Sequence, residues 1–578
     1  MAEAPLPVLE VRGLVTEFPL RQGPFRAVDD VSFDLFAGET LCVVGESGSG
    51  KSVTARSILQ IVDRPGRIVS GEILLHRHRT HRAGGPDDTI DLTSLDPRSQ
   101  ENRAIRGRDI AMIFQEPMSS LSPVHTIGNQ VAESIRLHSD ATRREAREQT
   151  IDLLRQVEIP DPETAIDRYP FEYSGGMRQR AMIAMSLACN PSVLIADEPT
   201  TALDVTTQAE ILDLIKRLQE SHGMAVMFIT HDMGVVAQIA DAIVVMRHGK
   251  LVERGDVFQV FEQPHHDYTR MLLGAAKALD RPAPRRLAMR AERPAKAPVL
   301  RTEDLAKTFE LRGGWFGRRR TEVLAVAGVD LVLHEGENLG IVGESGSGKT
   351  TLGRLILNVF ATTGGRVLYR TRDGSEQDLT KLAGDALRAN RSEIRMVFQD
   401  PFGSLNPRMT VGQIVGEPLL VTAGMKGQAL NDRVVELLGL VGLPASAAER
   451  YPHAFSGGQR QRIGIARAIA LEPRVIVADE PTSALDVSIR TQILDLLLDL
   501  QERLELSFIF ISHDIGVIRY FCDRVAVMYR GRIVETGPTE QVCGTPDHPY
   551  TQSLLSAVPH PDPRARGKHQ RHRYREAS

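Results

Sequence analysis

Two glycine-rich segments carry residue types that bind phosphate groups. Each fits the pattern G-x-x-x-x-G-K-[ST], whose backbone N–H groups surround phosphate oxygens while its lysine reaches the β- and γ-phosphates. The hydroxyl residue that ends the pattern is suited to holding Mg²⁺. Two copies, each after a short apolar run that predicts a buried strand, argue against a chance match. The segments are Gly45-Glu46-Ser47-Gly48-Ser49-Gly50-Lys51-Ser52 and Gly343-Glu344-Ser345-Gly346-Ser347-Gly348-Lys349-Thr350.

Acidic pairs end a second set of predicted strands. Asp197-Glu198 follows the apolar run 193–196, and Asp479-Glu480 follows the run 475–478. The aspartate of such a pair would hold Mg²⁺, directly or through water, and the glutamate would orient and deprotonate an attacking water. A carboxylate pair after a strand is by itself often only the start of a solvated loop. The interpretation therefore depends on the P-loops.

Histidine and glutamine pairs complete the predicted hydrolytic residues. His231 and His513 each follow a predicted strand. Their matched positions favour a γ-phosphate sensor over the structural role that is more common for a lone histidine. Gln115 and Gln399 each follow a phenylalanine after an apolar run. A glutamine alone carries little information, so we predict that they are ligands of ATP and Mg²⁺ only because they accompany the other motifs.

A third glycine motif opens a predicted helix in each half. It consists of Ser174-Gly175-Gly176 in the first half and Ser456-Gly457-Gly458-Gln459 in the second. A serine and two glycines at a helix N-terminus form another anion-binding site. Because each half already has a P-loop, we infer that this second cradle binds the nucleotide of the other half.

The spacing of the motifs defines two repeats. The later copies of the Ser-Gly-Gly, Asp-Glu and His-Asp motifs each lie 282 residues after the first, whereas the P-loops lie 298 residues apart. The surplus falls around the histidine- and arginine-rich stretch 76–85, which we interpret as a solvated hairpin rather than a metal site. Strand patterns alternate with helical ones, which predicts an α/β fold with mainly parallel core strands.

Length and composition exclude several classes of protein. At 578 residues the chain is too long for one core, and its 42% hydrophobic and 25% charged residues are typical of a soluble globular protein. A net charge of −4 does not favour nucleic-acid binding. The four cysteines lack metal-ligand spacing. No signal peptide is predicted, and no run approaches the roughly 18 apolar residues of a membrane-spanning helix.

Four segments are predicted along the chain. A nucleotide-binding domain over 1–278 precedes a linker over 279–298 that is rich in proline, arginine and alanine, and a second nucleotide-binding domain covers 299–560. The linker composition predicts an extended connector. The basic segment 561–578 is predicted to be a disordered, solubilising tail, with contact to anionic lipid or nucleic acid as the alternative.

As a set, these motifs resemble those of the ATP-binding cassette (ABC) transporter ATPases. The resemblance covers about 9–273 and 300–559 and includes the D-loops Ala202-Leu203-Asp204 and Ala484-Leu485-Asp486. A finer resemblance is to the fused double-cassette members of the bacterial oligopeptide, dipeptide and nickel importer group. It is carried by segments such as Phe398-Gln399-Asp400-Pro401, Tyr451-Pro452-His453 and His548-Pro549-Tyr550-Thr551.

The resemblance implies a fold and two composite sites. The fold is two tandem P-loop NTPase domains, each with a mainly parallel core sheet, an antiparallel β subdomain and a helical signature subdomain. ATP and Mg²⁺ on the first P-loop would be closed by 456–459, and those on the second by 174–176. Phe18 and Phe309 occupy the place of an adenine-stacking aromatic, with a core position at a strand end as the alternative.

The resemblance also implies partners and a location. The chain would be the ATP-hydrolysing subunit of a bacterial importer, peripheral on the cytoplasmic face of the inner membrane, with its halves forming a pseudo-dimer. It would drive two integral-membrane permease subunits and, through them, a solute-binding protein, without nucleic acid. Peptides, including glutathione-like ones, are the predicted cargo, while nickel, opines and other solutes stay open.

The sequence departs from the family pattern at one signature position. Met177 stands where the signature usually has glutamine, and methionine cannot form the same hydrogen bonds. Both glutamates and both histidines are present, so we predict two hydrolytically competent sites. A cysteine cluster found after some peptide-importer cassettes is absent, and no iron–sulfur centre is predicted. A soluble double-cassette translation factor and a DNA-repair cassette protein are the rivals. Such factors typically have a long helical linker, and a repair protein would need cysteine pairs for zinc.

Overall fold

The computed structural model describes the chain in several ranges. These are 6–20, 23–77, 89–116, 120–201, 203–287, 297–313, 319–400, 403–483, 485–567, 571–572 and 574. The chain divides into two compact units. Unit 1 comprises Met1–Leu203, Thr207–Ala276 and Pro559–His569, and unit 2 comprises Asp204–Thr206, Lys277–Val558 and Gln570–Ser578.

Unit 1 has two sheets and ten α-helices among its described residues. An antiparallel sheet has the order β2-β1-β4-β5, and a mixed sheet has the order β10-β9-β3-β8-β7-β6. The strands are β1 Pro7–Leu20, β2 Gly23–Phe36, β3 Thr40–Val44, β4 Arg67–His76, β5 Thr89–Asp91, β6 Ile110–Ile113, β7 Val193–Asp197, β8 Ala225–Thr230, β9 Ala242–Arg247 and β10 Lys250–Asp256. The helices are Lys51–Ile58, Gln100–Ile105, Ile127–His138, Arg143–Gln156, Pro162–Ala165, Gly175–Leu187, Val205–His222, Met233–Ile239, Val257–Glu262 and Asp267–Ala278.

Unit 2 repeats this architecture. Its antiparallel sheet has the order β12-β11-β14-β15, and its mixed sheet has the order β16-β17-β18-β13-β19-β20. The strands are β11 Pro298–Gly313, β12 Arg319–His334, β13 Asn338–Val342, β14 Gly364–Arg370, β15 Glu376–Asp378, β16 Ile394–Val397, β17 Val475–Asp479, β18 Ser507–Ile511, β19 Arg524–Tyr529 and β20 Arg532–Pro538. The helices are Lys349–Ile356, Gly384–Glu393, Val411–Val421, Gly427–Leu440, Gly457–Ile469, Val487–Leu504, Ile515–Phe521, Thr539–Gly544 and Pro549–Ser556.

The predicted fold class is confirmed. In the mixed sheet of unit 1 the described strands β3, β6, β7, β8 and β9 pair in parallel, and β10 pairs antiparallel with β9. The strand β3 is buried along its whole length because both faces of the sheet are covered, which explains its continuous apolar sequence. The parallel register brings the carboxyl ends of β3, β7 and β8 to one edge of the sheet. That edge is where ligands bind in open α/β sheets.

Two segments predicted to be extended or disordered have ordered contacts. In the predicted linker, Arg286 is 2% exposed and donates hydrogen bonds to the Cys522 carbonyl and the Glu540 carboxylate, within unit 2. In the predicted tail, Arg566 donates to the carbonyls of Gln238 and Ala240, within unit 1, at 2.6 and 2.7 Å. These guanidinium groups gain partners that an aperiodic sequence does not reveal.

The extra stretch 76–85 lies mostly outside the described residues. Within the described part, His76 is 6% exposed at the end of β4, and its ring nitrogens lie 2.9 Å from Thr89 Oγ1 and from Glu10 Oε1. This histidine is therefore packed inside unit 1, whereas the sequence interpretation made the stretch a solvated hairpin. Among the helices described, none is long and apolar enough to cross a membrane.

Candidate functional site

The P-loops connect the first parallel strand of each mixed sheet to the following helix. Gly50 has φ 103°, and a Cβ there would lie 2.4 Å from the Ala27 carbonyl oxygen. Gly348 has φ 104°, and a Cβ there would lie 2.2 Å from the Ala325 carbonyl oxygen. Only glycine fits such a position, because any side chain would collide with backbone and occupy a left-handed conformation. The sequence pattern therefore reports a real steric requirement in both units.

The P-loop lysines are buried and fold over their own loops. Lys51 and Lys349 are each 5% exposed. Lys51 Nζ donates to the carbonyls of Gly45 and Glu46 at 2.7 and 2.9 Å, and Lys349 Nζ donates to the equivalent carbonyls of its loop at 2.7 Å each. Burial lowers the pKa of Lys349, although nearby carboxylates oppose this effect. The two loops thus present a cationic group at the same place.

A hydroxyl and a carboxylate meet beside each lysine. Ser52 Oγ donates to Asp197 Oδ1 at 2.9 Å, and Thr350 Oγ1 donates to Asp479 Oδ1 at 3.1 Å. Burial raises the pKa of both aspartates, while the hydroxyl hydrogen bond lowers it. Hard oxygen donors of this kind suit Mg²⁺, which keeps several waters and needs only one or two protein ligands. The residues present therefore fit the predicted metal.

A glutamate follows each of these aspartates in a strained backbone conformation. Glu198 and Glu480 both have φ 46°, which is uncommon for a residue with a long side chain. Their N–H groups donate to the carbonyls of Ile229 and Ile511 at 3.0 and 2.9 Å, which anchors the turn. Strain of this kind costs roughly 1–3 kcal/mol and clusters at functional sites. The same uncommon conformation therefore recurs at both glutamates.

Three side chains hold the Glu198 carboxylate. Gln115 Nε2 and Thr201 Oγ1 donate to its Oε2 at 2.8 and 3.0 Å, and His231 Nδ1 lies 3.2 Å from its Oε1. Burial raises the pKa of Glu198, but His231, Lys51 and Thr201 outweigh burial and lower that pKa to about 2. The carboxylate is therefore ionised at neutral pH.

The second unit holds Glu480 in a similar way with one difference. Gln399 Nε2 donates to Glu480 Oε2 at 2.8 Å, and His513 Nδ1 lies 3.0 Å from Glu480 Oε1. Burial raises the pKa of Glu480, but His513, Lys349 and Gln399 lower it overall. Ser483, which matches Thr201, donates instead to the Glu480 backbone carbonyl at 3.1 Å.

The signature serines cap the helices that follow them. Ser174 Oγ accepts from the Met177 N–H at 3.3 Å, and Ser456 Oγ accepts from the Gln459 N–H at 3.4 Å. The Gln459 side chain also accepts from the Ser456 N–H at 3.1 Å, which completes a capping box in unit 2. The signatures are thus helix N-termini, as their composition predicts.

Comparison with known proteins decides the family. A sequence model of the ABC transporter family matches residues 28–201 and 326–483. The chain belongs to the ABC transporter family. A model of the oligopeptide/dipeptide transporter C-terminal region also matches twice, at residues 252–310 and 534–577.

Curated relatives match nearly the whole length of this ABC chain. It is 50% identical over 576 residues to the glutathione import ATP-binding proteins GsiA of Escherichia coli (strain K12) and of Shigella dysenteriae serotype 1, covering 96% of this chain and 90% of each relative. A solved dimeric structure of the ATP-binding cassette MJ0796 with ADP and Pi is 31% identical, covers 42% of this chain and 98% of its own, and has a TM-score of 0.37.

The ABC family assignment makes the two cassettes ATP-binding ATPase domains. In each unit the structure brings the P-loop lysine, the strand-end acidic pair, the glutamine and the histidine together at one edge of the mixed sheet. The predicted aromatics Phe18 and Phe309 lie on β1 and β11 of the antiparallel sheets, where both are half-buried. Phe309 packs edge-on against Phe360 at 5.6 Å. Adenine stacking stays a prediction for both.

Sequence reasoning missed three residues of this ABC site. Thr201 contacts the Glu198 carboxylate, and the hydroxyls of Tyr268 and Tyr550 contact the amides of Glu46 and Glu344. A signal was present for the tyrosines, because they also lie 282 residues apart. Thr201 and the matched Ser483 both carry a hydroxyl, but the sequence does not show which acceptor each hydroxyl contacts. The D-loop alanines Ala202 and Ala484 lie outside the described residues.

Proposed function

We propose that this chain is the ATP-hydrolysing subunit of a bacterial ABC importer for peptides, with glutathione-like peptides as the first candidates. The observation that carries the proposal is its similarity to glutathione import ATP-binding proteins across nearly the whole of both chains. The paired match to the oligopeptide/dipeptide transporter C-terminal region supports a peptide cargo in addition.

The same similarity supports a set of partners. Two integral-membrane permease subunits receive the work of ATP hydrolysis, and a solute-binding protein delivers the cargo to them. The chain itself associates peripherally with the cytoplasmic face of the inner membrane. Nucleic acid is not a partner, and the net charge of −4 agrees with that view.

In the proposed ATP sites, each lysine and the backbone amides of its P-loop bind the phosphates. Ser52 with Asp197, and Thr350 with Asp479, would hold Mg²⁺, which would supply charge neutralisation for the phosphates. Glu198 and Glu480 orient the attacking water and accept its proton. His231 and His513 hold these carboxylates in place and sense the γ-phosphate, and their short distances to the glutamates support this role.

We further propose that the two sites are composite. The signature 456–459 closes ATP on the first P-loop, and the signature 174–176 closes ATP on the second, so the chain is a pseudo-dimer. Support comes from a contact within unit 2, where the Ser345 N–H of the second P-loop lies 3.4 Å from Asp204 Oδ2 of the first D-loop. Each repeat has two phosphate-binding motifs, the P-loop and the signature. One nucleotide needs only one P-loop, so the signature is available for the nucleotide of the other repeat.

The hydrolytic assignment is tested by the double variant Glu198→Gln, Glu480→Gln. Removing both carboxylates should leave ATP binding intact while turnover falls by at least about 100-fold, the usual contribution of a general base. Equilibrium binding and phosphate release measure the two effects. Glu148→Gln, Glu505→Gln is the matched control, because both residues are exposed, the first on a helix and the second just after the end of one. Turnover in the double variant equal to that of the control would reject the role of the glutamates.

The importer assignment is tested by isolating the tagged chain from membranes of its own organism. Integral-membrane permeases should copurify, whereas ribosomes or DNA would overturn the proposal. ATP hydrolysis by the isolated complex is then measured with solute-binding protein and glutathione, a dipeptide or Ni²⁺. Stimulation by peptides but not by Ni²⁺ is the expected result, and stimulation by Ni²⁺ alone would contradict the peptide cargo.

A further inference from the structure

A tyrosine hydroxyl contacts the second residue of each P-loop. The Glu46 N–H donates to Tyr268 Oη at 2.8 Å, and the Glu344 N–H donates to Tyr550 Oη at 3.0 Å. The tyrosines lie on the helices Asp267–Ala278 and Pro549–Ser556, in the segments that match the oligopeptide/dipeptide transporter C-terminal region. The same contact therefore occurs once in each unit, between the cassette and the segment that follows it.

Both phenol rings are fixed by their surroundings. Tyr268 is 2% exposed and Tyr550 is 1% exposed. The Arg247 guanidinium lies 4.8 Å from the centre of the Tyr268 ring, and the Tyr529 ring lies 4.3 Å from that of Tyr550. Burial raises the pKa of Tyr550, so its phenol stays neutral. Each hydroxyl is thus an immobile acceptor for the loop amide.

The turn before each tyrosine is also tightly defined. The Glu253 carboxylate accepts from the N–H groups of His265 and His266 at 2.7 and 3.1 Å. His266 Nδ1 then accepts from the Tyr268 N–H at 3.1 Å, which starts the helix. In unit 2 the Glu535 carboxylate and His548 Nδ1 make the equivalent three contacts. These hydrogen bonds link each P-loop to a strand of the same unit, because Glu253 lies on β10 and Glu535 lies on β20.

The backbone of a neighbouring strand also packs closely against each P-loop. A Cβ on Gly45 would lie 2.2 Å from the Met246 carbonyl oxygen of β9, and a Cβ on Gly343 would lie 2.1 Å from the Met528 carbonyl oxygen of β19. The loop is therefore contacted both by a strand backbone and by a phenol hydroxyl. A loop that is already ordered loses less conformational entropy when phosphate binds, so its affinity is higher.

We propose that Tyr268 and Tyr550 are positioning residues for ATP binding, through which the segment after each cassette holds its P-loop in the phosphate-binding conformation. They act on the nucleotide through the loop amide. The inference rests on ATP binding by the cassettes and does not depend on which solute is imported.

Tyr268→Phe tests the proposal because it removes only the hydroxyl. In the non-hydrolysing Glu198→Gln, Glu480→Gln chain, half of the ATP sites should bind about three- to tenfold more weakly, as expected for one partly buried hydrogen bond. In the otherwise natural chain, KM for ATP should rise with little change in kcat. Amide hydrogen exchange should accelerate in the peptide 45–51 and stay unchanged in 343–349. Tyr550→Phe should reverse this pattern.

Tyr520→Phe is the matched control. Tyr520 is 6% exposed, and its hydroxyl donates to Asp495 Oδ1 at 2.6 Å, so this variant also loses a hydrogen bond made by a buried tyrosine. It should leave ATP affinity and exchange in both P-loops unchanged. Unchanged affinity in both Tyr268→Phe and Tyr550→Phe would overturn the proposal, as would equal acceleration of exchange in both loops. If one variant fails to fold, the other decides. The glutamate and copurification tests above are independent of this result.

Discussion

The hydroxyl of Thr201 provides a test of how the two glutamates are held. Thr201 Oγ1 donates to Glu198 Oε2 at 3.0 Å, whereas the matched Ser483 Oγ donates to the Glu480 backbone carbonyl. Thr201→Val keeps the shape of the side chain and removes this donor. A hydrogen bond to a charged group is worth about 1.5–3 kcal/mol. Because Thr201 is exposed, water competes, and about 1 kcal/mol is a better figure.

That figure predicts a fall in ATP turnover of about fivefold, since 1.36 kcal/mol corresponds to tenfold in rate. Loss of the donor also raises the pKa of Glu198, because the Thr201 hydrogen bond contributes to lowering it. Starting from a pKa of about 2, Glu198 stays ionised near neutrality. The fall therefore reflects orientation rather than protonation, and the ratio of variant to natural rates should be constant between about pH 6 and 8.

Steady-state phosphate release across this pH range measures the effect. Thr201→Ser should restore most of the rate, because it returns the hydroxyl. Ser483→Ala is the matched control and should change the rate little, because its hydroxyl does not meet a side-chain carboxylate. An equal loss in Ser483→Ala, or no recovery in Thr201→Ser, would refute the reasoning.

Two further predictions concern unit 2. A Cβ on Gly458 would lie 2.5 Å from Ile489 Cγ2, whereas one on Gly457 has 3.7 Å to its nearest neighbour. Overpacking costs about 1–3 kcal/mol against a helix gain of roughly 0.5–1 kcal/mol, so Gly458→Ala should lower the midpoint of thermal unfolding and Gly457→Ala should not. Burial lowers the pKa of His513, but Glu480 raises it above its ordinary value overall. Its NMR titration should move to lower pH in Glu480→Gln. Because the folded pKa is raised, the stability contributed by His513 is present below its unfolded pKa and is lost as pH rises through the folded pKa. A titration unchanged in Glu480→Gln would contradict this pairing.

The sequence predicted the fold class because each parallel strand is buried on both faces. A buried parallel strand needs a continuous apolar run, and the apolar run before the first P-loop forms β3. The acidic pairs then follow from chain order, since the carboxyl ends of parallel strands meet at one edge. The association of Lys51, Asp197 and His231 could be predicted in this way. Their catalytic roles stay predictions.

The contacts of Arg286 and Arg566 could not be predicted from composition. Arg286 and Arg566 lie in aperiodic, basic sequence that carries no helix or strand pattern. Each is ordered because its guanidinium meets backbone carbonyls far away in the chain. Such contacts depend on where a carbonyl is left without a partner at the end of a helix. Local sequence does not contain that information.

Met177, which replaces the glutamine usual in the signature, affects the start of its own helix rather than a contact with ATP. Gln459 uses its side chain to accept from the Ser456 N–H and so ties down the start of its own helix. Methionine has no comparable acceptor, and Ser174 caps its helix with its own hydroxyl, which accepts from the Met177 N–H. The signature that begins at Ser456 therefore has a hydrogen bond to the Gln459 side chain. The signature that begins at Ser174 makes no equivalent bond to the Met177 side chain, since methionine has no oxygen acceptor. The second half thus has the additional hydrogen bond at its signature. The first half has the additional hydrogen bond at its glutamate, where Thr201 contacts Glu198. If the sites are composite as we propose, both features would act on ATP at Lys51, which would combine Glu198 and its additional contact with the signature that begins at Ser456.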